Sequence, residues 1–170
     1  MKRLYFVRHG ESVLNQHRLY AGQINTPLTE QGRQQAHMAG YKTTITFDLI
    51  VSSPLIRAWE TAQIIAREIG YPPERILTNS LFMERSLGSL EGRPWDEASE
   101  DEALFPDIES EAALLTRAAA GLAYLRTLEA DTILLASHGS LAKALRASLD
   151  SRDTIRDYTE PPNAQIVQLI

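Results

Sequence analysis

Two histidines stand at the ends of apolar runs, and each is followed at once by a glycine. Residues 4–10 close on Arg8, His9 and Gly10, and Ile133-Leu134-Leu135-Ala136 runs into Ser137-His138-Gly139. An imidazole titrates near neutrality, so it can serve as base, nucleophile or cationic clamp. A third junction offers Ser52-Ser53-Pro54 and then Arg57. If a helix begins there, Arg57 falls in its first turn, on the unfavourable side of the helix dipole. An anion bound at the helix end offsets that cost. Arg8, Arg57 and the two imidazoles together suit a dianionic phosphoryl group, whose oxygens match the planar fork of arginine.

With a phosphoryl group in place, a neutral imidazole can attack phosphorus and carry the group as a phosphohistidine, splitting one difficult displacement into two. The other imidazole, as imidazolium, would stabilise the charge. Departure of the alkoxide calls for a proton donor. Met83-Glu84-Arg85 and Leu90-Glu91-Gly92 offer two carboxyls, and nearby phosphate charge raises the pKa of either. Glu84 is the preferred acid; Glu91 is the alternative. Arg85 is a candidate substrate contact, with a surface ion pair as the competing reading. Ser137 reads as an N-cap or phosphate neighbour, since no base–carboxylate arrangement beside it supports a nucleophilic serine. Ser12 is in the same position. His17 and His37 have no chemical context and read as solvated, while Trp59 and Ile64-Ile65 read as packing.

These groups need strands that end together. Four apolar residues in a row, bounded by polar ones, suit a strand buried on both faces of a parallel sheet. The first strand is expected over 2–7, followed by a polar loop to about residue 27. Thr29 caps a helix that runs to about residue 42. A second strand over 47–52 leads into a helix capped by Ser53, with Pro54 at its first position. That helix runs to about residue 69 and stops at Gly70, with Pro72-Pro73 beyond. A short strand is expected over 75–78. Residues 82–106 are an irregular, polar cap, with a short helix after Pro94. An Ala/Leu-rich helix over 108–128, a strand over 132–136, a helix over 139–149 and a last strand over 165–170 complete the chain. Strand–helix alternation predicts an α/β fold: a three-layer α/β/α sandwich with a mainly parallel sheet. Ligands in such sheets sit beyond the carboxyl ends of the strands, where both histidines fall.

The chain has 170 residues, 44% hydrophobic and 23% charged, which is ordinary for one globular domain. Seventeen Lys+Arg against 22 Asp+Glu leave a net charge of −5, which disfavours a nucleic-acid partner. The absence of cysteine excludes disulfides, thiolate metal sites and a cysteine nucleophile. No apolar run approaches the roughly 18 residues of a membrane helix, and no signal-peptide pattern precedes the first strand. A cytoplasmic protein without a membrane partner is expected. The acidic run at 97–102 reads as a solvated face that could border the site and discourage very anionic substrates.

The stretch Arg8-His9-Gly10-Glu11-Ser12, with Asn15, resembles the signature of the histidine phosphatase superfamily, the phosphoglycerate-mutase-like family. The resemblance continues through Leu28-Thr29-Glu30-Gln31-Gly32 with Gln35-Ala36, and through Ser52-Ser53-Pro54-Leu55 with Arg57-Ala58 and Thr61-Ala62. It also covers Glu84-Arg85 with Gly88 and Glu91-Gly92, and Ser137-His138-Gly139. It implies the phosphoglycerate-mutase-like fold and assigns roles: His9 as nucleophile, Arg8, Arg57 and His138 on the phosphoryl oxygens, and Glu84 as acid, then base. Asn15 would add a neutral donor, with Ser137 and Gly139 beside the phosphate. No metal or other cofactor is implied. The family holds phosphatases and mutases; its mutases carry a longer insertion after the acid-bearing loop, with paired arginines and a lysine. That stretch is short and acidic in this chain. A phosphatase acting on a small phosphorylated metabolite is therefore expected, with mutase-type transfer and a non-catalytic phosphate- or phosphoprotein-binding module as alternatives. The substrate and the oligomeric state are not legible.

Overall fold

The computed structural model describes residues 1–96 and 103–170, so the acidic run at 97–102 lies outside the described residues. In chain order the elements are β1 (Arg3–Arg8), α1 (Val13–Gln16), α2 (Glu30–Lys42), β2 (Leu49–Ser52) and α3 (Ile56–Glu68). There follow β3 (Leu77–Thr78), α4 (Glu111–Thr127), β4 (Thr132–Ser137), α5 (Gly139–Leu149) and β5 (Ile166–Gln168). The strands form one sheet in the order β3-β2-β4-β1-β5. All neighbours are parallel except β5, which runs antiparallel beside β1.

Both faces of the central strands are covered, as their unbroken apolar runs require. Ile133 and Leu135 of β4 join Leu4 and Phe6 in a core closed by α4 and α5. Leu134 and Ala136, pointing the other way, join Val7 and Ile50 under α3, against which α2 packs. Successive strand residues thus serve opposite layers, which makes the three-layer α/β/α sandwich. No helix of the described residues is long and apolar enough to cross a membrane.

Several boundaries differ from expectation for physical reasons. The helix α3 is not capped by Ser53: its N-cap is Leu55, without a side-chain bond, and Asn25 Oδ1 accepts from the Ile56 N–H at 2.7 Å from a distant loop. Ser53 Oγ is occupied elsewhere, and Pro54 lies before the helix rather than at its first position. Thr29 caps α2 as expected, accepting from the Gly32 N–H. Gly70 ends α3 at φ 71°. The four-residue α1 was not anticipated, although Ser12 and Asn15 form a reciprocal capping box around it. The described part of the 82–106 segment is irregular, interrupted by a short 3-10 turn at Gly88–Leu90, with another at Ser80–Phe82 leading into it. The described residues after Pro94 show turns and no helix. His37, expected to be solvated and alone, pairs with Glu68 at 2.8 Å.

Candidate active site

Three parallel strand ends are brought level by the sheet register. Arg8 of β1 pairs with Ser137 of β4, and Ser52 of β2 with Ala136. The residues just beyond continue the ladder: the His9 N–H donates to the Ser137 carbonyl at 3.0 Å, and the Ser53 N–H to the Ala136 carbonyl at 2.9 Å. Each chain segment then turns away into a loop or helix, leaving His9, Ser53 and His138 side by side. The His9 and His138 ring centroids are 5.2 Å apart, tilted by 58°. Arg8, His9, Asn15, Arg57, Glu84 and Glu160 all line one cleft of about 410 Å³. Two larger clefts, of about 750 and 920 Å³, are lined by no imidazole; the chemistry places the site in the smaller one.

His9 is held by its neighbours in one tautomer. Its Nδ1 lies 2.7 Å from the Gly10 carbonyl and must donate to it. Nε2 accepts from Arg57 Nε at 3.2 Å, so that nitrogen carries a lone pair. Burial, then the charges of Arg57 and Arg8, hold the ring's pKa well below the usual imidazole value. A neutral ring with a lone pair facing a cationic cleft is what a phosphorus nucleophile requires.

Arg57 is 1% exposed and one of the largest fully buried side chains. Nη1 donates to the Ile24 carbonyl at 2.8 Å and Nη2 to the Gly22 carbonyl at 2.7 Å. Those bonds fold the 22–24 loop over the cleft and fix the guanidinium beside His9. Burial pulls its pKa down to about 10, against the pull of Glu84 and Glu91, which leaves it cationic at neutral pH. Thr61 braces the same corner, donating to the Arg57 carbonyl at 2.7 Å and accepting the Gly10 N–H at 3.0 Å.

His138 is fully buried, and its Nε2 sits 2.8 Å from Ser53 Oγ. The same oxygen accepts the Leu55 N–H at 3.2 Å, and its hydroxyl proton is free to go to Nε2. With Ser53 donating in this way, the ring proton sits on Nδ1, a buried atom without a partner among the described residues. Burial and the charges of Arg57, His9 and Arg8 hold His138 well below the usual imidazole pKa. His138 is therefore a neutral ring in place of the expected imidazolium. Arg8 likewise keeps a buried Nε–H without a partner. One of these donors lines the cleft and the other belongs to the ring beside His9, a pairing that suits an oxyanion bound at His9.

Glu84 reaches the cleft from the loop after Phe82. Its carboxylate accepts the Arg85 N–H at 2.8 Å and approaches the Ser140 and Leu141 N–H groups at the start of α5, both at 3.3 Å. Burial, then the charge of Glu160, raises its pKa above the ordinary glutamate value despite those donors, which suits a proton donor near neutrality. Arg117 of α4 holds the loop in place, donating to the Leu81, Met83 and Glu84 carbonyls while pairing with Glu109.

The structure separates the remaining candidates. Glu91, unlike Glu84, does not line the cleft; its Oε1 accepts the Gln23 and Leu87 N–H groups at 2.8 and 3.0 Å and ties two loops together. Arg85 does not line the cleft; its Nε donates to the Glu109 carbonyl at 2.7 Å. Ser137 is neither cap nor phosphate neighbour, because its Oγ donates to the Phe82 carbonyl at 2.7 Å, buried beneath the acid loop. Asn15 lines the cleft, with its carboxamide oxygen engaged by Ser12. Gly139 opens α5 directly under Glu160. Sequence reasoning missed Glu160 and Asn163, whose Nδ2 donates to the His9 carbonyl at 2.7 Å. Among the described residues no group of three His, Asp or Glu side chains could hold a metal ion.

Comparison with known proteins agrees with this geometry. The family model described as "Histidine phosphatase superfamily (branch 1)" matches residues 4–169. The uncharacterized phosphatase PhoE of Bacillus subtilis (strain 168) is 32% identical over 168 residues, covering 96% of this chain and 86% of that protein. A 2,3-bisphosphoglycerate-dependent phosphoglycerate mutase of Parvibaculum lavamentivorans is 32% identical over 167 residues, 86% of this chain and 79% of the mutase. Among solved structures, a phosphoserine phosphatase mutant from Entamoeba histolytica in complex with phosphoserine superposes with a TM-score of 0.83. Its identity is 27%, over 99% of this chain and 90% of that one.

Proposed function

The chain belongs to the histidine phosphatase superfamily (branch 1), and from that membership we propose that its cleft hydrolyses small phosphomonoesters through a phosphohistidine on His9. The observation that carries this reading is the His9 ring itself: Nδ1–H spent on the Gly10 carbonyl, and Nε2 left with its lone pair, met by the Arg57 Nε–H, in a cleft that also holds Arg8 and the acid Glu84. In the first step Nε2 attacks phosphorus, and the Arg57 Nε–H passes from that lone pair to a phosphoryl oxygen. Arg8 and His138 Nδ1–H take the others, and Asn15 contributes a neutral donor. The P–O bond to the alcohol breaks as Glu84 protonates the leaving oxygen. Positive charge left on the ring is stabilised through Nδ1–H and the Gly10 carbonyl. In the second step the Glu84 carboxylate takes a proton from water, the water oxygen bonds to phosphorus, and the N–P bond breaks. Inorganic phosphate leaves and His9 returns to its neutral state.

In this reading residues 1–170 act as one domain, with the 82–106 segment as a cap, in a cytoplasmic setting. The charge on phosphorus is met by guanidinium and imidazole donors, so turnover needs no metal. p-Nitrophenyl phosphate is expected to release inorganic phosphate at an unchanged rate in EDTA. Purified protein that turns over no phosphomonoester would support the binding-module alternative; rapid interconversion of 2- and 3-phosphoglycerate would support the mutase one. The mutase relative favours the latter, but the described lining offers no cation beyond Arg8 and Arg57 to clamp a second anionic group.

The acid role of Glu84 has its own signature. Its raised pKa keeps the carboxyl protonated above the ordinary glutamate range, so kcat/KM falls as pH rises through that higher value. Glu84→Gln removes that alkaline limb. It costs kcat/KM about 10²–10⁴-fold on alkyl phosphates, whose alkoxides need a proton. On p-nitrophenyl phosphate the first step loses far less, because that leaving group departs as an anion. An equal loss on both substrates would take the acid role away from Glu84.

A further inference from the structure

Glu160 belongs to no motif, and the two chemical steps do not use it, yet it lies inside the cleft. Its Oε2 is 2.9 Å from Arg8 Nη1. Its carboxyl rests on the first residue of α5: a Cβ on Gly139 would come within 2.3 Å of the carboxyl carbon. Only glycine at 139 admits so close an approach, and the positive end of α5 favours the charge that settles there. Glu160 shares the cleft with Glu84, the acid of the proposed reaction, and its charge helps to lift the pKa of that carboxyl.

The rest of the cleft sharpens the point. Away from the phosphoryl end the described lining includes Leu19, Tyr20, Leu87 and Trp95, none of them cationic. Arg93, next to this wall through its backbone, directs its guanidinium over the Phe105 ring, 5.4 Å away. Residues 97–102, outside the described part, contain no lysine or arginine in sequence. A substrate dianion on Arg8 Nε leaves one guanidinium shared between two anions, which weakens the Glu160 pair on Nη1. Arg57, the other guanidinium of the described lining, is committed to His9 and the 22–24 loop. A leaving alcohol bearing its own cation restores the pair; one bearing a carboxylate adds a second negative charge beside the first.

Resting on the phosphatase reading, we propose that Glu160 is a specificity-determining residue that favours phosphomonoesters of ammonium-bearing alcohols over those carrying a second anionic group. Attraction to one and repulsion of the other act together, as discrimination usually does.

The test compares three esters of similar size: phosphoethanolamine, n-propyl phosphate and 2-phosphoglycolate, with p-nitrophenyl phosphate as the measure of basal turnover. In the unmodified protein, kcat/KM for phosphoethanolamine should exceed that for 2-phosphoglycolate by about tenfold or more, with the neutral ester between them. Glu160→Gln should bring the three within about threefold of one another, and Glu160→Lys should reverse their order. Glu160 is partly exposed, so both variants are expected to fold, and the comparison in the unmodified protein needs no variant at all. Equal turnover of the ammonium and carboxylate esters, with p-nitrophenyl phosphate hydrolysed, overturns the proposal and leaves the phosphatase reading standing. A preference that survives Glu160→Gln overturns it too, because another group then makes the choice. No turnover of any ester, p-nitrophenyl phosphate included, brings down the phosphatase reading and this proposal with it.

Discussion

His9→Ala is expected to lower kcat/KM for p-nitrophenyl phosphate by about five to six orders of magnitude, the scale seen when a covalent nucleophile is deleted. The fold should survive, since the bonds that hold this corner of the sheet are made by the His9 backbone, to Ser137 and Asn163. Brief exposure to labelled substrate should leave an acid-labile, base-stable phosphate on the unmodified protein and none on His9→Ala. His138→Ala should still take the label, more slowly. The distinction follows from access: His9 lines the cleft, whereas His138 is wholly buried and tied through Nε2 to Ser53. A label that persists in His9→Ala and vanishes in His138→Ala would exchange the two roles.

Arg57→Ala should damage stability and catalysis together. It strands the Gly22 and Ile24 carbonyls without their donor and empties a fully buried volume beside His9. Unsatisfied carbonyls and a residual cavity together cost about 3–5 kcal/mol, or a fall in Tm of about 10 °C for a domain of this size. Loss of the charge that meets the phosphoryl oxygens adds a reduction in kcat of about 10²–10³-fold. Arg57→Lys should recover part of the Tm and little of the rate, because a point charge cannot span two carbonyls and His9 at once. Thermal melts and kcat on p-nitrophenyl phosphate measure both; an unchanged Tm would show that the loop does not depend on the guanidinium.

What could be read from the chain was whatever local pattern encodes. The β4 run, four apolar residues closed by Ser-His-Gly, announces a strand buried on both faces, and the helix over 139–149 appears where it was expected. The placing of Arg8, His9, Arg57 and His138 was legible because each sits at an element boundary that the alternation of strand and helix puts at one end of the sheet, whereas Glu84, in an irregular segment, was singled out by its type and by the family resemblance. What failed was reasoning by sequence adjacency. Arg85 is next to the acid in sequence, but Arg117, a full helix away, braces that loop. Ser53 looked like a cap, because serine before proline usually is one; its oxygen instead meets a histidine 85 positions later. Glu91 stood as the alternative to Glu84, but it lies off the cleft lining and ties two loops together. Glu160 and Asn163 carry no local signal. They follow from the path of the last loop, which tertiary packing decides.

That last loop has a consequence for how the protein comes into being. Among the described residues strand β1 pairs with β4 and β5, and the His9 carbonyl is fastened by Asn163, 154 positions later. On the ribosome the nucleophile therefore emerges before its fastenings. A nascent chain carries His9 on an unpaired segment until β4, Asn163 and β5 have been made, so cellular phosphate esters meet a working site only after those later residues are in place.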